Sequence, residues 1–406
     1  MKYLLSDEEV LIIVKNATKS ENITNVRWIL KQKEGELTGF LGSYHKLRVD
    51  ASIDSKPETL NFFVKTLPDG SEQREFIERT NLFLKEAVIY SDMLDRMPDL
   101  KSVPRSYYYR KDILVLDDLA LKGYSLMPAR ANFPQSHVQL VLKALAEMHA
   151  ACFHFEEEIL KDSLENVFKE PLSEVMFISD NIWLTMGFDT IKKIALEKSK
   201  YAKDSKICKL IEENFLREIN KIFELLNETP EKYKKVICHR DIWRNNLMFK
   251  FDNDGNPQDC ILVDFQQVRY MPPAADVLFA LHCLQRMNDR KKYYLENLKF
   301  YHECLTSSLQ KYHLNVDKFL SFGNLVDSCE HYRLFGALIK AIYIQTTYFP
   351  TEEMAKLRND GDNYRKFITE DRSILLTFIE TDKVFRDWML EAVEELVEML
   401  IIPRWL

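Results

Sequence analysis

The chain has 406 residues, of which 46% are hydrophobic and 29% are charged, and its formal net charge is −7. This length exceeds the size at which a single hydrophobic core stops growing, so we expect two lobes. The net negative charge gives no general attraction to nucleic acid or anionic lipid, and the seven cysteines contain no C-x-x-C pair of the kind that binds zinc.

The N-terminal segment contains Ser6, Asp7, Glu8 and Glu9 ahead of any long apolar run, so we do not expect a secretory signal. The sequence also contains no stretch of ~18 uncharged apolar residues that would span a membrane. We therefore expect a cytoplasmic protein that binds neither nucleic acid nor a membrane and that has no obligate protein partner.

The first third of the chain has the pattern of strands around one main helix. The segments GSYHKLRVDAS and ETLNFFVKTLP have the β-branched and aromatic composition of strands, and ILVL at 113–116 predicts a further buried strand. Between Ser71 and Leu94, apolar residues recur at helical spacing. This part of the chain is therefore predicted to be a sheet with one helix packed on it.

Helical periodicity dominates from about residue 136 onward. The low contents of glycine (10) and proline (13) also favour long helices. We predict an α+β protein with two lobes. A small lobe at 1–117 would hold an antiparallel sheet and one main helix, and a large lobe at 118–406 would be mainly helical.

One hairpin interrupts the helical part. The run NLMFKF, the turn sequence DNDGNP and the run DCILVDF predict two strands joined by a turn. With Gly255 as the midpoint and no bulge, Asn246 and Asp264 come opposite each other at the open end, with Cα atoms roughly 5 Å apart. Because carboxylate and amide oxygens suit a hard divalent ion, we predict that these two residues hold Mg²⁺.

The segment CHRDIWRNNLMF contains the pattern H-R-D-x-x-x-x-N, in which Asp241 and Asn246 occupy the last two fixed positions. Asp264 and Phe265 follow, as the D-F of a metal-binding element would. This order resembles the catalytic and metal loops of the protein-kinase-like fold. The resemblance implies that Asp241 orients an acceptor hydroxyl and accepts its proton.

Two charged residues upstream come in the order that this fold requires. Lys65 lies in the predicted strand FFVKTLP. Glu86 lies on the predicted helix between Phe83 and Tyr90, at the border of the apolar stripe. A carboxylate there calls for a partner, and we expect Glu86 to hold Lys65 against the α and β phosphates of ATP.

The chain departs from protein kinases in two places. Gln266 replaces the glycine of D-F-G, and the short stretch between Asp264 and Asp276 contains no A-P-E element, which leaves no room for a long activation segment that docks peptides. We interpret the long insertion before the H-R-D segment as helices that build a pocket for a small-molecule acceptor. Its apolar lining is expected at 176–188 and 336–349.

Longer segments make the resemblance more specific. The segments LVLDDLALKGY, LKALAEMHAACF, CHRDIWRNN and VDFQ resemble the insect ecdysteroid kinase-like family, whose relatives are choline kinases and aminoglycoside phosphotransferases. The resemblance implies phosphorylation of a hydroxyl group with ATP and Mg²⁺, and ecdysteroids are the best-known acceptors. It further implies that the nucleotide is bound by Lys65, Glu86, Gly39, Gly42, Ser43, Asp117 and Leu119.

Several alternatives stay open at this point. The acceptor is an ecdysteroid or a similar hydroxylated apolar compound, or it is choline, ethanolamine or a xenobiotic alcohol. A catalytically silent relative that only binds a small molecule is the competing class. Asp276 is either a helix cap or a residue that holds the catalytic loop. Trp243 and Arg244 either contact the acceptor or serve packing.

Overall fold

The computed structural model of the chain describes residues 4–32, 42–68, 74, 77 and 81–402. The chain forms two compact units. The sheet unit comprises Met1–Met127, Ala150–Ser173 and Asn245–Val268, and the helical unit comprises Pro128–His149, Glu174–Arg244 and Arg269–Leu406. These two units are defined by how densely their segments pack, so they do not test the predicted lobe boundary. The boundary between residues 117 and 118 stays a prediction.

The strands are, in chain order, β1 Ile23–Gln32, β2 Ser43–Ile53, β3 Lys56–Thr66, β4 Ser106–Arg110, β5 Ile113–Asp117, β6 Tyr124–Leu126, β7 Val236–Cys238, β8 Leu247–Phe251, β9 Pro257–Leu262 and β10 Arg269–Met271. The first five form one antiparallel sheet in the order β1-β2-β3-β5-β4. A second sheet has the order β6-β8-β9, and β7 pairs with β10.

The α-helices are α1 Asp7–Thr18, α2 Leu82–Val88, α3 Gln135–His154, α4 Leu164–Val167, α5 Ile182–Glu197, α6 Ser205–Ile219, α7 Lys221–Asn227, α8 Ala274–Leu284, α9 Met287–Lys311, α10 Phe322–His331, α11 Arg333–Thr347, α12 Thr351–Asn359, α13 Gly361–Thr369, α14 Ile374–Thr381 and α15 Lys383–Leu400. The predicted α+β fold is confirmed, since an antiparallel sheet precedes a mainly helical part. Among the helices of the described residues, none combines the length and the apolarity needed to cross a bilayer.

The core of the sheet unit lies between the five-stranded sheet and α1. Alternate residues of β2, from Leu47 to Ile53, point into it, as the two-residue period of a strand requires. α1 adds Val10, Ile13 and Val14. A capping box starts this helix: the side chain of Ser6 accepts from the backbone N–H of Glu9, and the Glu9 carboxylate accepts from the backbone N–H of Ser6.

The predicted helix between 71 and 94 is present in its second half as α2. It continues without a break into a π-turn at Ile89–Met93 and a 3₁₀ turn at Leu94–Arg96. Phe83, Ala87 and Tyr90 of the predicted apolar stripe are buried. The first half of the predicted helix lies largely outside the described residues.

The predicted hairpin is present, but its predicted register is wrong by one residue. Leu247 pairs with Leu262, and the amide of Val263 donates to the carbonyl of Asn246 at 3.0 Å. Asn246 therefore lies opposite Val263 and not opposite Asp264. The prediction took Gly255 as the midpoint of the turn, whereas the pair nearest the turn, Phe251 and Pro257, centres on Asp254. The bulge between Lys250 and Phe251 then shifts the pairing by one residue and reduces the error from two residues to one.

The helical unit is built around α8. Every residue of this helix is buried, as expected for a helix that is surrounded on all sides. α11 packs against both α8 and α15. The buried Lys340 of α11 is paired there, with its Nζ 2.6 Å from a carboxylate oxygen of Glu391 on α15. All seven cysteines lie in the described ranges, and no disulfide links them.

Candidate active site

The predicted ion pair between Lys65 and Glu86 is present in the sheet unit. Lys65 lies on β3, paired with Tyr44 of β2 and Leu114 of β5. Its Nζ is 2.7 Å from Oε2 of Glu86 on α2, and the two side chains are only 4% and 1% exposed. Burial acts to lower the pKa of Lys65, but the charges of Asp264 and Glu86 outweigh it and raise that pKa. Lys65 is therefore held as an ammonium ion.

Asp264 belongs to the same cluster. Its Oδ1 lies 3.2 Å from Nζ of Lys65, so one lysine faces two carboxylates. The backbone at Asp264 is left-handed, with φ of 69°, a conformation that aspartate adopts more readily than most residues. Its backbone N–H donates to the hydroxyl of Tyr90 at 3.2 Å. The backbone of this loop is thus fixed to the segment that follows α2.

These charged groups open into a cavity of about 360 Å³ whose lining belongs entirely to the sheet unit. Five of the predicted site residues in addition to Lys65 line it, and they are Glu86, Asp117, Leu119, Asn246 and Asp264. The structure thus brings the two predicted metal ligands and four predicted nucleotide contacts, Lys65 among them, to one cavity, whereas Gly42 and Ser43 do not line it. The register error at the hairpin does not separate Asn246 from Asp264, because both residues still reach this lining.

The glycine-containing segment is described only in part. Gly39 lies outside the described residues. Gly42 precedes β2 and lies against Lys65, because a Cβ at this position would come within 3.2 Å of the lysine Cε. Ser43 begins β2 opposite Thr66. The close approach at Gly42 explains why a residue without a side chain stands there.

Two cavity residues on β2 were not predicted as site residues. The ring of Tyr44 stacks on that of Phe63 with centroids 5.5 Å apart, and burial raises the pKa of Tyr44 to about 12. Lys46 reaches Asp118, with an N–O distance of 3.1 Å. Tyr44 pairs with Lys65, and Lys46 lies on the same face of β2 as Tyr44 because alternate residues of a strand share a face. Once the pairing of β2 with β3 is known, both residues can therefore be predicted to lie near the site.

The loop that carries Asp241 lies in the helical unit and is held by Asp276. The carboxylate of Asp276 accepts the backbone N–H groups of His239 at 2.6 Å and Arg240 at 2.8 Å. His149 lies 3.2 Å from the same carboxylate through Nε2, and its Nδ1 contacts the hydroxyl of Tyr301 at 2.7 Å. Of the two interpretations open for Asp276, the contacts support the one in which it holds the loop.

A potential metal-binding group at this place has a simpler explanation. Ligand atoms of His149, Cys238 and Asp276 lie within 4.8 Å of one another, and all three residues are buried. The histidine and the aspartate already bond to each other, and Sγ of Cys238 lies 3.4 Å from the carbonyl oxygens of Met271 and Pro272. These contacts account for the group as a brace of the loop.

Arg240 is engaged in structural contacts. It forms an ion pair with Glu174, which also lies 2.9 Å from Arg269. Its guanidinium stands 5.3 Å from the ring centroids of both Phe177 and Phe335. Burial acts to raise the pKa of Glu174, but the two arginines outweigh it and hold that pKa well below its usual range. The charge beside Asp241 in the sequence is thus compensated by Glu174.

Asp241 itself is 8% exposed and accepts a hydrogen bond of 2.6 Å from the hydroxyl of Tyr343 on α11. The ring of Tyr343 makes edge contacts with three aromatic rings, at centroid distances of 5.1 Å to Phe279, 6.3 Å to Trp183 and 6.4 Å to Trp243. Sequence patterns missed the bond to Tyr343, although this tyrosine lies within the segment predicted to line an acceptor pocket.

Comparisons with known proteins point to one family. The model of the ecdysteroid kinase-like family matches residues 38–314. An uncharacterized kinase-like protein of Caenorhabditis elegans is 27% identical over 225 residues, which cover 53% of this chain and 54% of the relative. The chain thus spans about half the length of the curated relative that it matches.

Solved structures resemble the chain at low identity. The ethanolamine kinase of Plasmodium vivax is 13% identical with a TM-score of 0.45, over 97% of this chain and 84% of that one. The choline kinase of Cryptosporidium parvum is 14% identical with a TM-score of 0.42, over 98% and 99%. APH(2″)-IIa in a ternary complex with streptomycin and ATP is 14% identical with a TM-score of 0.38, over 98% and 100%. Likenesses this distant support no role for an individual residue.

Proposed function

Because this chain belongs to the ecdysteroid kinase-like family, we propose that it transfers the γ-phosphoryl group of ATP to a hydroxyl group of a small molecule. The family resemblance inferred from the sequence is confirmed, and the family is kinase-like. The observation that carries the proposal is the buried cluster of Lys65, Glu86 and Asp264 at a cavity that Asn246 also lines. A cluster of this composition is suited to phosphates and a divalent ion.

The cavity suits a nucleotide in size and lining. Its volume of about 360 Å³ falls in the range of small-molecule pockets, and its apolar lining would bury a planar base. The apolar and aromatic lining residues are Tyr44, Phe63, Tyr90, Pro104, Leu116, Leu119, Ala120, Tyr124, Leu126, Met248 and Val263. Lys65, fixed by Glu86, would contact the α and β phosphates. A side chain at position 42 would crowd the side chain of Lys65, and the glycine there avoids this contact.

The donor set fits Mg²⁺. Asp264 supplies a carboxylate and Asn246 an amide oxygen at the same cavity, and hard oxygen ligands are what this ion prefers. When bound, Mg²⁺ would neutralise charge on the β and γ phosphates. Lys65, 3.2 Å from Oδ1 of Asp264, reduces the repulsion between that carboxylate and the phosphates.

Asp241 is the proposed base, by its place in the H-R-D-x-x-x-x-N pattern. The acceptor oxygen would form a bond to the γ phosphorus while the bond from that phosphorus to the β–γ bridging oxygen breaks. The hydroxyl proton would pass to the carboxylate of Asp241, and ADP would leave. The hydroxyl of Tyr343 and the brace at Asp276 hold this carboxylate and its loop in place.

We propose a hydroxylated apolar compound such as an ecdysteroid as the acceptor. The rings of Trp183 and Trp243 both contact the ring of Tyr343, whose hydroxyl bonds to Asp241, and these three rings support an apolar, ring-shaped acceptor. Aromatic rings would also suit the quaternary ammonium of choline, which makes a choline kinase the second candidate.

Incubation with MgATP and separate acceptors, followed by measurement of product mass, tests the proposal. The panel includes ecdysteroids, other apolar alcohols, choline and ethanolamine, and each reaction is repeated with Asp241→Asn as the inactive control. We expect an ecdysteroid or similar alcohol to gain one phosphoryl group. If choline alone is phosphorylated, the proposed acceptor is wrong and the proposed kinase activity stands. If no acceptor reacts and MgATP does not raise the melting temperature, the protein is a silent relative.

A further inference from the structure

We infer that Gln266 is a positioning residue that fixes the loop of Asp264 to the Lys65–Glu86 pair, an inference that rests on the proposed function. Gln266 stands where protein kinases have the glycine of D-F-G. Its side chain is 2% exposed, and its Nε2 donates to Oε2 of Glu86 at 3.0 Å. The same oxygen lies 2.7 Å from Nζ of Lys65, so one carboxylate oxygen receives both donors.

Gln266 is one of three consecutive residues that contact the helical segment carrying Glu86. The backbone N–H of Asp264 donates to the hydroxyl of Tyr90 at 3.2 Å. The ring of Phe265 meets the ring of Tyr90 edge-on, with centroids 5.2 Å apart. Glu86 and Tyr90 are four residues apart on one continuous helical stretch, so they lie on one face of it. The loop is therefore attached to this face at a backbone amide, a ring and a side-chain amide.

The chemistry of Glu86 explains why a glutamine is suitable. This carboxylate is 1% exposed, and a buried carboxylate is costly unless donors satisfy its oxygens. Glutamine brings a neutral N–H donor with enough reach. A glutamate at 266 would place a second negative charge against Glu86. A glycine at 266 would remove the bond from the side-chain amide and keep the one from Lys65 to this oxygen.

The contact also bears on how the site is kept assembled. The stretch between Asp264 and Asp276 is too short for an activation segment of the kind that orders this loop in protein kinases. The bond from Gln266 to Glu86 ties the loop directly to the ion pair that holds Lys65. The carboxylate of Asp264 is therefore positioned by contacts of its own loop with the helical stretch of Glu86 and Tyr90.

The test compares Gln266→Met, which keeps length and loses the donor, with Gln258→Met, which removes an exposed glutamine donor to Asp252 in the same unit. For each, the rise in melting temperature with ATP is measured as a function of Mg²⁺ and in EDTA, together with kcat. We expect Gln266→Met to need about 10- to 100-fold more Mg²⁺ for the same rise, the size found when a residue that orients a metal ligand is removed. Binding in EDTA and the response of Gln258→Met should stay close to wild type.

A second readout uses the protein without ligand, so that it does not depend on the proposed function. Hydrogen exchange of the amides at 263–266 should be faster in Gln266→Met than in wild type. Tyr90→Phe, which keeps the ring and loses the hydroxyl, should accelerate the Asp264 amide and serves as the alternative if Gln266→Met does not fold.

The outcomes separate the two claims. If wild type responds to MgATP and Gln266→Met has the same Mg²⁺ requirement and exchange rates, the role of Gln266 is overturned and the kinase proposal survives. If wild type does not bind MgATP at all, the kinase proposal fails. The exchange rates of Gln266→Met, or of Tyr90→Phe in its place, then decide whether the loop is attached as inferred, and unchanged rates would refute it.

Discussion

The two regions that carry the proposed site residues compensate their charges in different ways. In the sheet unit, Lys65 faces the carboxylates of Glu86 and Asp264 directly, so charge is balanced by charge. In the helical unit, Asp241 receives a neutral hydroxyl from Tyr343, and the neighbouring Arg240 is paired with Glu174. The first arrangement places a cation and oxygen ligands at one cavity, which suits binding of phosphate and metal. The second holds the carboxylate of Asp241 with a hydroxyl donor beside a group of aromatic rings.

Removal of the cation from the sheet unit should have the largest effect on stability. Lys65→Met leaves the buried carboxylate of Glu86 and the partly buried carboxylate of Asp264 without their shared partner, so we expect the free energy of unfolding to fall by about 3–5 kcal/mol. Urea denaturation measures this change, and Lys31→Met at an exposed position of β1 is the control. A loss below about 1 kcal/mol, the range of exposed ion pairs, would mean that the cluster is not compensated as described.

Asp241→Asn should have the largest effect on turnover in the helical unit. The amide cannot accept the hydroxyl proton, so kcat should fall by ~10²-fold or more, while the affinity for ATP stays nearly unchanged. Steady-state kinetics with the best acceptor gives both values. A variant that retains more than a tenth of wild-type turnover would remove Asp241 from this role.

Tyr343→Phe tests the neutral donor. It removes only the hydroxyl that bonds to Asp241, and we expect kcat to fall about tenfold, since a hydrogen bond to a charged group contributes roughly 1.5–3 kcal/mol. Tyr332→Phe is the matched control, because this buried hydroxyl bonds to Thr229 at 3.1 Å. Equal kcat values for the two variants would show that the bond to Asp241 is without consequence for turnover.

The last prediction concerns the dependence of stability on pH at Glu174. The folded state lowers its pKa, so its contribution to stability is complete above the usual value of 4.5 and is lost as the pH falls through the lower folded value. Wild type should therefore lose stability below about pH 4.5 more steeply than Glu174→Gln. Thermal unfolding from pH 7 to 3 measures the two slopes. Parallel curves would contradict the compensation of Arg240 by Glu174.

Local sequence patterns predicted the strand of Lys65, the helix of Glu86 and the contact between these two residues. The strand of Lys65 and the helix of Glu86 each follow from a periodicity, and a buried carboxylate beside a strand lysine leaves little choice of partner. The hairpin was predicted from its turn residues, but these residues did not show that the turn centres on Asp254 and not on Gly255, nor that a bulge lies between Lys250 and Phe251.

Contacts that depend on tertiary packing could not be read from the sequence. Tyr343 and Asp241 are far apart in the chain, and no period relates a residue of α11 to the loop after β7. The same holds for the bond from Gln266 to Glu86. The departure of Gln266 from the D-F-G pattern was visible, but its meaning required the position of Glu86.

The most direct test of the central claim is calorimetric titration of ATP with and without Mg²⁺ into wild type and Asp264→Ala. Asp254→Ala, at the exposed turn of the same hairpin, is the control. We expect wild type and Asp254→Ala to bind ATP more tightly with Mg²⁺, and a folded Asp264→Ala to lose this dependence, because the carboxylate is the charged ligand of the ion. A folded Asp264→Ala with unchanged dependence on Mg²⁺ would contradict the metal site at the centre of the proposed phosphoryl transfer.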